Sequence, residues 1–146
     1  IGEGVLEQEK YLLKQAKRVT LLLAGAAAQK FGQSLQQEQE ILANIADAVN
    51  NVYAMESAIL RTEKAIVNSG EEKNKQKLLY TQVFVQEAFQ ELEANAKETI
   101  VAIEEGDDLR ILLSALKKLM RQIPVNVIKK KRQIAARVIE EEKYIV

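Results

Sequence analysis

Residues 85–96 read Val-Gln-Glu-Ala-Phe-Gln-Glu-Leu-Glu-Ala-Asn-Ala, and Val85, Phe89, Leu92 and Ala96 are spaced by four, three and four. Side chains at that spacing share one face of a helix, whereas a strand would repeat every two residues. The spacing is that of a seam which neighbouring helices close over. The seam extends back to Leu78 and forward to Ile103. It predicts a long helix opened by Glu71 and Glu72, where negative charge suits the helix dipole. The Gly106-Asp107-Asp108 stretch ends it with a C-terminal glycine and supplies an acidic N-cap for the next helix.

The same period runs outward from the seam in both directions. A first helix is predicted from about Glu3 to Phe31 on the stripe Val5, Leu12, Val19, Leu23, Ala26 and Phe31, widened by Leu13, Ala16 and Ala27. Gly32 follows, where a helix end favours a residue that tolerates positive φ. Ser34-Leu35-Gln36-Gln37 then has the pattern of a capping box. A second helix is predicted from about Leu35 to Asn68, roughly 50 Å long at 1.5 Å per residue. Its buried face is expected to hold Ile41, Leu42, Ile45, Val49, Val52, Ile59, Leu60 and Ile66, and Ser69-Gly70 ends it. Beyond the seam helix, a fourth helix is predicted from about Asp108 to Gln122. It carries Leu109, Leu112, Leu113, Leu116, Leu119 and Met120, and Pro124 stops it. A fifth runs from about Val125 to Lys143. Connections of two to four residues force antiparallel neighbours. The expected fold is all-α: an up-and-down antiparallel bundle of three long helices and two shorter ones, forming a single helical domain over residues 1–146.

Composition narrows the chemistry. The chain has 146 residues, 21 basic and 21 acidic, with one Pro, six Gly and no Cys, His or Trp. Without Cys there is no disulfide, thiol nucleophile or thiolate metal site. Without His there is no imidazole base, no Ser-His-Asp triad, and no Glu-x-x-His pair for a di-iron bundle. Neither a Gly-x-Gly-x-x-Gly run nor a Walker loop is present. The expectation is therefore no catalytic, cofactor-binding or metal-ligating residue in this chain. The most apolar stretch, Val19–Ala28, is too short to cross a hydrocarbon core that needs about 20 residues. The chain begins at Ile1 rather than Met, which suits a fragment of a longer polypeptide, and the lack of Cys suits a reducing cytoplasm.

Three features invite a functional reading. Residues 117–137 hold Lys117, Lys118, Arg121, Lys129, Lys130, Lys131, Arg132 and Arg137 and no acid. On a wheel of the fifth helix, Val127, Ile128, Ile134, Ala135, Val138, Ile139 and Ile145 share a face. Lys129, Lys130 and Arg137 lie opposite, Arg132 is at the border, and Lys131 falls among the apolar positions. Lys129, Lys130, Arg132 and Arg137 are the candidate interaction surface, for an anionic membrane or an acidic partner. The other reading is a solvated face that also pairs with acids of the bundle. With no aromatic among these cations and no net charge on the chain, nucleic acid is not an expected partner. Asp47, between Ile45 and Val49, reads as a buried or half-buried structural acid paired with Arg18, Arg61 or a hydroxyl. Tyr53 and Met55 read as core filler.

One ordered set of residues is more specific than its periodicity. Lys30-Phe31-Gly32 is followed by a long helix opened by Glu38-Gln39-Glu40 and carrying Ala46-Asp47, Tyr53-Ala54-Met55 and Arg61. Then come Leu78-Leu79 and Gln86-Glu87-Ala88. Over residues 5–105 this order resembles the added C-terminal helical domain of very-long-chain acyl-CoA dehydrogenases, most of all the bacterial long-chain relatives. The resemblance implies a non-catalytic domain of a homodimeric flavoprotein that desaturates acyl-CoA in fatty-acid β-oxidation. A Glu and FAD would do that chemistry in an upstream core, whose motifs this chain does not carry. That core would be the partner, in the cytoplasm. The family's association with membranes also keeps a peripheral membrane contact through the fifth helix among the expectations. The alternative is a free-standing interaction module using its basic fifth helix.

Overall fold

A computed structural model describes residues 4–122 and 126–145, with side chains placed through residue 142. Its helices are α1 (Glu7–Phe31), α2 (Gln39–Ser69), α3 (Lys75–Ile103), α4 (Gly106–Leu119) and α5 (Val127–Ile145). The architecture is the expected antiparallel bundle, three long helices and two shorter ones. The α1/α2 pairing is fixed by Lys10–Glu63 and Lys17–Glu56, numbers that rise on one helix as they fall on the other. In α2/α3 the register is set by Asn44 Nδ2 on Glu98 Oε1, Asn51 Nδ2 on the Ala88 carbonyl, and Thr62 against Thr81.

The seam helix is the hub. α3 packs against α1, α2, α4 and α5, whereas α5 packs on α3 alone among the described residues. Val85, Phe89, Leu92 and Ala96 are fully or almost fully buried, together with Leu12, Val19 and Leu23 of α1, Met55 and Ile59 of α2 and Leu116 of α4. A smaller cluster of Ala27, Ile41 and Ile103, with Phe31 and Leu35 against it, closes the far end.

Several boundaries differ from the sequence reading. Ser34 does not cap α2. Gly32–Gln37 winds as a 3-10 turn, Ser34 Oγ donates to the Phe31 carbonyl at 2.7 Å, and α2 starts only at Gln39. That makes the first connection longer than predicted. Gly32 does adopt positive φ, +52°. Glu72 likewise falls in a 3-10 turn, Glu72–Asn74, ahead of α3. α1 begins at Glu7 rather than Glu3, a residue outside the described ones, and Val5 is exposed while Leu6 is buried in its place. α4 ends at Leu119, before Gln122; Pro124, invoked as its stop, and Val125, invoked as the start of α5, lie outside the described residues.

Polar side chains hold the corners. Asn74, buried, directs Nδ2 at the Ala65 carbonyl (3.1 Å), Ser69 Oγ (2.8 Å) and the Gly70 carbonyl (2.7 Å). It thereby ties the end of α2 and the turn after it to the start of α3. Gln15 Nε2 does the same for the Leu119 carbonyl at the end of α4, 3.2 Å away. Deep between α2 and α3 the hydroxyls of Thr62 and Thr81 are 2.5 Å apart.

Truncating Phe89 to Ala is expected to cost about 3–5 kcal/mol, because a buried ring leaves a cavity that its neighbours fill only partly. Thr62→Val alone should cost about 1–3 kcal/mol by stranding the Thr81 hydroxyl, while the Thr62→Val, Thr81→Val double variant is expected to be close to neutral. Denaturant unfolding of the two singles and the double, read as a cycle, checks this.

Candidate functional site

The helices bring the predicted residues together only in part. In α5 the side turned to α3 carries the buried Ile134, with Val127 and Lys130 half-buried. Lys130 Nζ donates to Gln82 Oε1 at 2.9 Å, so it lies against α3 rather than opposite it. Lys131 Nζ pairs with Glu87 at 2.8 Å. This is the cation that the wheel put among apolar positions, and the ion pair accounts for its place in the contact. Arg137 Nε is held by Glu141, one turn along, at 3.2 Å. Lys129 and Arg132 are exposed and make no ion pair within 4 Å among the described residues. Ile128, Ala135 and Ile139 are exposed rather than packed, because α3 is narrower than the apolar arc drawn on the wheel.

Two readings of α2 need correction. Asp47 is exposed, neither buried nor half-buried. Arg18, offered as its partner, instead donates from Nη1 to Gln15 Oε1 at 3.0 Å. Met55 is core, 0% exposed, but Tyr53 is 71% exposed. Two positions apart on a helix means about 200° of rotation, so the pair could not both face inward. Val49 and Leu60, expected on the buried face, are also more than half or half exposed, at 57% for Leu60 and 50% for Val49. With Val67 they line the same outer side as Tyr53.

Sequence reasoning missed three features. A depression of about 510 Å³ at the α2–α3 corner is lined by Arg61, Lys73, Lys77 and Tyr80, with Thr62 and Thr81 at its floor. A groove of about 450 Å³ runs between α3 and α4, lined by Val101, Leu113 and Leu116 with Lys97 and Lys117 beside them. The third is Glu9, a carboxylate buried on α1. Burial pushes its carboxyl above the usual carboxylate range. A hydrogen bond with its own backbone and the charge of Lys130 pull downward and offset only part of that. Glu9 lies three residues before Leu12 on the line of the buried Leu12, Ala16, Val19 and Leu23, so the helical period already put it on the inner face, and only its polar character hid that.

Elsewhere charges are used in pairs. Glu63 holds the Lys10 ammonium above its ordinary range through a hydrogen bond, and Glu104 does the same for Lys30 at 2.9 Å. Among the described residues no group of three or more metal-ligating side chains comes together. What the arrangement offers is surface, apolar along α2 and mixed around α5.

The family model described as "Acyl-CoA dehydrogenase, C-terminal domain" matches residues 15–118. A Bacillus subtilis (strain 168) protein named probable acyl-CoA dehydrogenase is 64% identical over 145 residues, covering 99% of this chain and 24% of that protein. The crystal structure of a Bacillus anthracis acyl-CoA dehydrogenase complexed with FAD superposes with a TM-score of 0.92 at 61% identity. The match covers 97% of this chain and 24% of that one. The chain therefore spans about a quarter of the length of these relatives.

A glutamate whose folded-state pKa is raised holds its proton to higher pH in the folded chain than in the unfolded one. Stability then falls as pH climbs from the ordinary value through the raised one, and the deficit persists above it. Glu9→Gln should therefore raise the unfolding temperature at pH 7. The gain should shrink toward zero below the ordinary carboxylate pKa, as thermal melts across pH would show.

Proposed function

The chain belongs to the acyl-CoA dehydrogenase C-terminal domain family, and from that premise we propose that it is the non-catalytic C-terminal helical unit of a long-chain acyl-CoA dehydrogenase. The observation that carries this is the unequal coverage. Relatives named as acyl-CoA dehydrogenases match almost the whole of this chain with a quarter of their own length. The remaining three quarters are where the chemistry is assigned: FAD-dependent α,β-desaturation of a long-chain acyl-CoA, the opening oxidation of fatty-acid β-oxidation, in the cytoplasm. The long-chain subtype rests on the ordered resemblance over residues 5–105, and a homo-oligomeric parent follows from the same likeness.

The residues of this chain do not fit FAD. Its depressions are open and lie at helix junctions. The largest of those described above has flexible Lys and Arg side chains and one Tyr, with no glycine-rich turn to approach a pyrophosphate. No catalytic step is assigned to any residue here.

The role left to the bundle is docking. Its partner is the catalytic part of the same polypeptide, and Lys129 and Arg132 on α5, like Lys117, Lys118 and Arg121 before it, are exposed members of the basic segment with no ion pair among the described residues, free to meet acids there. Lys130 and Lys131 serve that surface by holding α5 against α3, while Arg137 pairs within α5 with Glu141. No described helix is long and apolar enough to cross a membrane.

The full polypeptide that contains these residues should retain FAD through gel filtration and reduce an electron-accepting dye when given palmitoyl-CoA, faster than with butyryl-CoA. The 146 residues alone should do neither. Flavin held by the 146-residue unit, or no acyl-CoA oxidation by the full polypeptide, would overturn the reading.

A further inference from the structure

We propose that the outer side of α2 is the surface on which the remainder of the parent polypeptide seats this bundle, through a helix laid along it; the proposal rests on the functional reading above. Val49, Tyr53, Leu60 and Val67 are 50%, 71%, 57% and 80% exposed. Their spacings of four, seven and seven residues keep them within one narrow arc of the helix. From Val49 to Val67 the stripe is about 27 Å long. A seven-residue apolar repeat is the pattern that a second helix fills.

The neighbouring edge of α1 extends this surface. Lys17 stands against Glu56, so Leu21, one turn further along α1, is level with Tyr53 one turn back along α2. Leu21 is 71% exposed, and the exposed Ala24, Gly25 and Ala28 beyond it leave room for a close backbone. A row of large apolar side chains left in water is unusual on a free-standing protein and marks a covered face.

The charges beside the stripe identify the occupant. On the α1 side Lys10 and Lys17 are matched by Glu63 and Glu56, while Lys64, one turn from Leu60 on the other edge, and Lys14 are exposed with no ion pair within 4 Å among the described residues. An apolar strip edged by unmatched lysines suits a helix with an apolar face and acids along its flanks. The strip is one helix wide and offers five large anchors, Val49, Tyr53, Leu60, Val67 and Leu21, a narrower contact than a free-standing interface needs. A covalently tethered partner needs less, because its effective concentration reaches the millimolar range. Three quarters of the length of the relatives lies outside the matched region, which supplies such a partner.

Nitration of Tyr53 by tetranitromethane in the full-length protein tests this, with the urea-unfolded protein as reference. Docking predicts labelling about tenfold slower than in the unfolded chain, the factor that a modest docking free energy confers. Leu60→Arg or Val67→Arg, both on exposed positions that leave the core alone, should restore fast labelling. Labelling within about twofold of the unfolded chain, as the exposure of Tyr53 here would give, overturns the proposal. Protection that disappears on dilution to a single subunit means a second copy, and protection that needs anionic vesicles means a membrane; either overturns it. Flavin content and acyl-CoA turnover are read on the same sample. Turnover without protection defeats the docking surface alone, and protection without flavin defeats the functional reading alone.

Discussion

The structure depends on burying α3 on more than one side. A helix at the edge of a bundle needs a single apolar stripe, but α3 must satisfy α1, α2 and α4 with Val85, Phe89, Leu92 and Ala96 while Val83 is covered as well. The hydrophobic effect has no direction, so the seam demands only that apolar surface surround it. Which helix lies on which side is decided by interlocking shape and by a small set of polar contacts.

Those polar contacts are short side chains at helix crossings. Asn51 reaches the Ala88 carbonyl, Asn95 reaches the Asn44 carbonyl, and Gln86 meets Gln122. Each occupies an accessible lone pair or amide that a slipped register would leave unpaired, at a cost larger than the bond itself contributes. They therefore specify alignment more than they add stability. Asn74 and Gln15 act at helix ends, on the Ala65, Gly70 and Leu119 carbonyls.

A bundle stitched this way has little left with which to do chemistry. Some of its carboxylates pair with lysines of neighbouring helices, as Glu56, Glu63, Glu87 and Glu104 do, and Glu9 is removed from water. Its exposed apolar side chains include a row along α2, with others on α3, α4 and α5 such as Val101, Ile111, Ile128 and Ile139. That division, a rigid internal seam with an apolar outer strip, fits a part whose task is to be held against something larger. Among the described residues α5 packs on α3 alone, placed by the buried Ile134, by Gln76 donating to the Ile134 carbonyl, and by Lys131–Glu87 and Lys130–Gln82.

The all-α class, the number of helices, their antiparallel order and the central seam were legible in the residues, because 3.6-residue periodicity and glycine punctuation are local properties of the chain. So was the family, through an ordered set of short segments. Helix starts at Ser34 and Glu71 were misread because residue type alone does not separate a 3-10 turn from the first turn of an α-helix. Tyr53, Val49, Leu60 and Asp47 were assigned to the wrong environment for a different reason. A wheel gives the angle of a side chain about its own axis, but only the positions of α1 and α3 decide how much of that circle is covered. The engagement of Lys130 by Gln82 and of Lys131 by Glu87 was fixed in the same way, by contacts between residues far apart in the chain.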